Sequence, residues 1–88
     1  MSFYTYVLYS ENFNKIYIGQ SLDLQKRLFE HNTGMSKYTK RYLPWKIILK
    51  EEFKSRSEEM KREKELKSQK GREYIWNLIN GGIRQLTD

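Results

Sequence analysis

The stretch Lys15 to His31, Lys-Ile-Tyr-Ile-Gly-Gln-Ser-Leu-Asp-Leu-Gln-Lys-Arg-Leu-Phe-Glu-His, constrains the chain most, because its hydrophobic spacing changes there from that of a strand to that of a helix. From Lys15 to Gln20, Ile16 and Ile18 point one way while Tyr17 and Gly19 point the other. Ser21 or Asp23 can cap the helix that follows, and a helical wheel gathers Leu22, Leu24, Leu28 and Phe29 on one apolar arc. Arg27 and His31, one turn apart, border that arc. A cation there is partly shielded yet reaches solvent, which suits holding an anionic substrate in a lowered dielectric. The same positions suit a snorkelling surface arginine and a frayed helix end, and periodicity leaves both readings open.

With 88 residues and no cysteine, the chain supports one domain, 1–88, around a modest core without disulfide staples. Its start, Met-Ser-Phe-Tyr-Thr-Tyr, lacks the basic and apolar regions of a secretory signal, and no stretch reaches the length of a membrane span. A soluble, cytoplasmic protein with no membrane partner is expected. The 17 Lys and Arg exceed the 11 Asp and Glu by enough to leave a formal charge of +6, and 7 tyrosines and 2 tryptophans lie among the basic residues. That balance points to nucleic-acid phosphates as partners, although charge alone also fits a small basic protein with no such role.

Phe3 to Tyr9 alternates as a first strand, with Phe3, Thr5, Val7 and Tyr9 on one side and Tyr4, Tyr6 and Leu8 on the other. A hairpin symmetric about the polar connection Ser10 to Phe13 sets Tyr6 directly opposite Tyr17, two phenols on one face of the sheet. After the helix, Asn32-Thr33-Gly34 reads as a stop, and Met35 to Tyr42 interleaves Lys37, Lys40 and Arg41 with Tyr38 and Tyr42. Such a segment can grip a strand through phosphates and stacking, or be a loop held by aromatic plugs. Pro44 closes it, and Trp45 to Leu49, running on to Phe53, reads as a third strand.

Ser55 or Ser57 can cap a helix extending to about Gln69, with Met60 and Leu66 as its thin apolar stripe and Glu63 between them. A carboxylate there has two explanations: an i,i+4 pair with Lys67, or a divalent metal ion held through carboxylate oxygens. Gly71 should break this helix, with Arg72 to Asn80 forming a last, core helix that Gly81-Gly82 ends.

Taken in order, these residues resemble the GIY-YIG nuclease domain, in its small single-domain bacterial branch, over Phe3 to about Ile79. Tyr17-Ile18-Gly19 stands as the second half of the motif, and Tyr4-Thr5-Tyr6 occupies the first with Tyr4 in place of glycine. Arg27 and Glu63 fall where the family places its arginine and its metal-binding glutamate. The resemblance implies an α+β fold, a three-stranded antiparallel sheet flanked by about four helices, and metal-dependent hydrolysis of a nucleic-acid phosphodiester, DNA rather than RNA, in repair or recombination. One Mg²⁺ or Mn²⁺ would sit on Glu63. Tyr6 would accept a proton from water, with its pKa lowered from about 10 by nearby cations. Tyr17 would position water or phosphate, Arg27 would balance growing charge, and His31 would support the site or shuttle a proton. Lys26, Lys37, Lys40 and Arg41 would contact the nucleic acid, and either Asn77 or Asn80 would supply the asparagine many members carry near the domain end. The bare domain suggests a structure-directed cutter or one recruited by another protein, and leaves the oligomeric state open. The alternative is a non-catalytic nucleic-acid-binding module retaining the fold, which has no need of Tyr6, Tyr17, Arg27 and Glu63 together.

Overall fold

The computed structural model describes residues 2–87, with side chains described over 2–81. Strands β1 (Phe3–Ser10), β2 (Lys15–Ser21) and β3 (Lys46–Phe53) form an antiparallel sheet in the order β2-β1-β3. Between β2 and β3 lie α1 (Leu24–Asn32) and a 3-10 turn (Thr39–Tyr42), and after β3 come α2 (Arg56–Lys67) and α3 (Gln69–Thr87). The fold is α+β as expected, with three α-helices and one short turn where about four helices were anticipated.

Because successive residues of β1 face opposite ways, the central strand serves two cores. Tyr6 and Leu8 pack with Leu24 and Trp45 beneath α1 and the 3-10 turn, while Val7 joins Ile18, Leu66 and Ile75 beneath α2 and α3. The two tyrosines lie on the first of these faces, so the sheet itself carries them to α1.

The register differs from the symmetric hairpin. Tyr6 pairs with Gly19 and Tyr17 with Leu8, because residues 11–14 make the turn and Ser10 pairs with Lys15. Asn14 takes φ 53°, in the left-handed region that asparagine tolerates, and accepts a 2.9 Å hydrogen bond from the Tyr9 hydroxyl. Asn14 is thereby a turn residue, not the strand partner of Tyr9.

Helix faces also depart from the wheels. Asp23 caps α1, accepting from the Lys26 amide, so Leu22 lies outside the helix; Leu22 and Phe29 are exposed, and the inward residues are Leu24 and His31. On α2, Ser55 is the cap, Met60 is exposed, and Glu59 and Leu66 are buried. Arg62 fastens that helix to β3 through Glu51 at 2.6 Å, which replaces the apolar contact anticipated for Met60. The α2 helix ends at Lys67, and α3 includes Gly71 and continues past Gly81-Gly82 to Thr87. Gly71 marks a close approach rather than a break. A Cβ there would stand 2.1 Å from the Glu65 carbonyl oxygen, so only glycine lets α3 turn back this tightly on α2.

Candidate active site

Tyr6 is the centre of the site. Its ring lies over Gly19, where a Cβ would come within 2.7 Å of the phenol oxygen, and the third residue of Tyr17-Ile18-Gly19 is therefore glycine for steric reasons. The Tyr6 and Tyr17 rings are 6.3 Å apart and tilted, so the phenols share a face as expected although they are not directly opposed. We expect Gly19→Ala to displace the Tyr6 ring and cost roughly 1–3 kcal/mol through overpacking. A thermal melt combined with NMR of the Tyr6 ring checks this, and an unshifted ring at full stability would contradict it.

His31 is fully buried, not frayed. Its Nε2 lies 3.0 Å from the Tyr6 hydroxyl and its Nδ1 lies 2.9 Å from Thr39 Oγ1. Thr39 is equally buried, and its carbonyl accepts a 2.7 Å bond from the Trp45 indole, so the 3-10 turn is tied to the core where it meets the histidine. Asn32 adds a second tie, exchanging bonds with the Trp45 backbone at 2.7 and 3.0 Å. Burial, followed by the charge of Arg27, holds the His31 pKa below the usual histidine value, so the imidazole is neutral at pH 7.

Arg27 is half-buried, pairs with Glu30 at 3.3 Å, and its charge acts on the Tyr6 phenol. The charge of Arg27 favours electron density on the Tyr6 oxygen, and with the phenol as donor to His31 Nε2 the imidazole carries its hydrogen on Nδ1 toward Thr39. The expectation that cations lower the Tyr6 pKa is corrected. Burial dominates and pushes it up to about 12, against the hydrogen bond and charge of Arg27, while Tyr17 and Glu63 raise it further. Tyr6 is a neutral phenol at rest.

Glu63 is close enough for its charge to act on Tyr6, and its carboxylate takes the expected i,i+4 pair with Lys67 at 2.8 Å. Beside it, Glu59 is completely buried, with Oε2 accepting a 2.8 Å bond from Thr5 Oγ1 and Oε1 left without a hydrogen-bond partner. Among the described residues no three His, Cys, Asp or Glu side chains converge as a metal-binding group. Mg²⁺ commonly takes only one or two carboxylates beside waters and substrate phosphates, so a half-buried carboxylate next to an unsatisfied carboxylate oxygen fits a hard divalent cation.

Lys26, Lys37, Lys40 and Arg41 are all exposed, and none has an acidic partner in an ion pair among the described residues. Lys26 and Arg27 line an open groove of about 370 Å³ with Asp23, Glu30 and Arg56. Arg56 was not singled out from the sequence, since nothing in Lys54-Ser55-Arg56 shows that α2 begins beside α1. Tyr42 packs on Trp45 at 6.4 Å, whereas Tyr38 stays half exposed 6.2 Å from the Tyr17 ring. Asn77 and Asn80 are exposed on α3, and no hydrogen bond links either to the site among the described residues.

Comparison with known proteins gives the family. The family model described as the GIY-YIG catalytic domain matches residues 2–78. A UPF0213 protein of Staphylococcus saprophyticus is 36% identical over 66 residues, covering 74% of this chain and 79% of that one. Another, from Lactococcus lactis, is 33% identical over 82 residues, covering 92% and 78% respectively. The NMR structure of a UPF0213 protein from Bacillus halodurans superposes with a TM-score of 0.54 at 30% identity, covering 89% of this chain and 85% of that one. No helix among the described residues is long and apolar enough to cross a membrane. A catalytic-domain match over nearly the whole length, carried on the sheet that brings Tyr6 to Tyr17, places the chain in the GIY-YIG family of nuclease-type domains.

Proposed function

We propose that this protein is a metal-dependent endonuclease that hydrolyses phosphodiester bonds, in DNA rather than RNA, with a role in repair or recombination. The observation that carries this reading is the Tyr6 phenol 3.0 Å from the neutral imidazole of His31 and under the charge of Arg27. A binding surface has no use for that polarity.

In the reaction, the attacking water hydrogen-bonds to the Tyr6 oxygen. As the water's oxygen attacks phosphorus, its proton passes to that oxygen while the Tyr6 proton passes to Nε2 of His31. Tyr6 therefore never stands as a free phenolate, and its high pKa is no obstacle. Thr39 Oγ1 can accept the Nδ1 hydrogen in the tautomer that leaves Nε2 open. Tyr17, half-buried on the same face, positions the water or phosphate, and Arg27 balances charge growing on the phosphate oxygens. Glu63 would hold Mg²⁺ or Mn²⁺, which when bound supplies charge stabilisation to the scissile phosphate and its departing oxygen. Lys26, Lys37, Lys40 and Arg41 anchor the flanking phosphates.

The test is cleavage of end-labelled single-stranded, duplex and branched DNA and matching RNA, in Mg²⁺ and in EDTA. We expect Mg²⁺-dependent cutting of at least one DNA. Replacing Lys37, Lys40 and Arg41 together should weaken binding about equally for all sequences and reduce the log–log salt slope by up to ~0.9 per lost duplex phosphate contact. Salt-sensitive binding with no cutting of any substrate would instead identify a binding module.

A further inference from the structure

A fully buried carboxylate oxygen without a hydrogen-bond partner is costly, and Glu59 Oε1 is such an atom. Its position is not accidental looseness. Oε2 is fixed by the 2.8 Å bond from Thr5 Oγ1, on the strand residue next to Tyr6, and the backbone carbonyl of Glu59 faces the same hydroxyl at 3.4 Å. One turn along α2 stands Glu63, whose carboxyl interacts with that of Glu59. Two carboxylates spaced i,i+4 on a helix share one face, and like charges so placed repel unless something positive lies between them. Lys67 answers Glu63 alone, at 2.8 Å on an exposed amine. No hydrogen-bond donor among the described residues answers Oε1.

We infer that Glu59 is a second carboxylate ligand of the cation site, its Oε1 sharing with Glu63 a hard divalent ion while Thr5 holds the other oxygen in place. The inference rests on the reading of Glu63 as a metal ligand and extends it to a buried residue of the same helix. It accounts for three observations together: a glutamate where α2 would bury an apolar side chain, a threonine on β1 facing it, and an oxygen with no hydrogen-bond donor among the described residues. Hard cations accept this kind of donor, and a pair of carboxylates with waters completing the shell is an ordinary Mg²⁺ arrangement. The competing occupant is a proton shared by the two carboxyl groups.

The experiment is titration of the full chain with Mn²⁺ alone, reading free Mn²⁺ by EPR, for wild type, Glu59→Gln, Glu63→Gln and Glu58→Gln. Glu58 is exposed in the first turn of α2, so Glu58→Gln removes the same charge from the same helix outside the site. Saturable binding by wild type is expected, with Glu59→Gln weakening it at least fivefold beyond the loss in Glu58→Gln. A smaller loss overturns the inference, and if Glu63→Gln nonetheless loses binding, the reading of Glu63 stands without Glu59. Absence of Mn²⁺ binding by wild type also overturns it, and the Mg²⁺-dependent cleavage assay then judges the nuclease reading separately. Should Glu59→Gln fail to fold, carboxyl-carbon NMR of wild type decides. Mg²⁺ should shift both the Glu59 and Glu63 resonances, and a shift of Glu63 alone overturns the inference.

Discussion

Glu63→Ala should lower metal-dependent cleavage by on the order of 10³-fold while leaving the fold intact. Metal stabilisation of a phosphoryl transition state is worth several kcal/mol, and each ~1.4 kcal/mol is a factor of ten in rate. Its structural role is small by comparison. The one ion pair it makes among the described residues is the i,i+4 contact with the solvent-exposed ammonium of Lys67, worth about a few tenths of a kcal/mol. Circular dichroism and a thermal melt should thus be nearly unchanged, and single-turnover cleavage in Mg²⁺ should not be. If Glu63→Ala cuts like wild type while Glu59→Ala does not, the metal chemistry of α2 sits one turn earlier. If neither substitution matters, α2 has no metal role.

The same helix shows why parts of the site could be read from sequence and others could not. Successive strand residues face opposite ways whatever their burial, and β1 is buried on both faces, so it is the two-residue period across the hairpin that puts Tyr6 and Tyr17 on a common face. Their register could not be read in this way, because it depends on Asn14 adopting a left-handed conformation, a choice made by one residue that asparagine only permits. On α1 the wheel began at Leu22, a residue outside the helix, and this tilted the inferred arc away from His31. Burial of His31 depends on Thr39, which belongs to a separate turn and leaves no mark in helical spacing. Glu59 is harder still. Its partner Thr5 lies 54 residues away, and hydrophobic patterning counts every glutamate as solvent-facing. Met60 was misread for the reciprocal reason: where the polar Glu59 and the Arg62–Glu51 pair seat a helix, an apolar neighbour can remain outside. Motif spacing singles out Arg27 and Glu63 without reference to packing, and the fold brings the charge of both to bear on Tyr6.

Arg27→Ala separates catalysis from binding. The guanidinium charge acts on the Tyr6 phenol and borders the groove shared with Lys26 and Arg56, so it stands where charge would grow on a phosphate under attack. If its contribution is confined to the transition state, Arg27→Ala should reduce the single-turnover rate by roughly 10²–10³ while affinity falls much less. A clamp on the ground-state phosphate would put the loss into affinity instead. Arg27→Lys should recover little, because an ammonium is a point charge on a flexible stem and cannot present a planar fork to the phenol and a phosphate oxygen together. The pair with Glu30, at 3.3 Å and partly exposed, contributes under ~1 kcal/mol, so neither variant should unfold and the comparison stays clean. The measurement is cleavage at saturating protein, with equilibrium binding in Ca²⁺, for wild type and both variants. Equal saturated rates for all three would remove Arg27 from the chemistry, leave Tyr6 and His31 without the charge that makes their proton transfer useful, and turn the balance toward a protein that binds nucleic acid without cutting it.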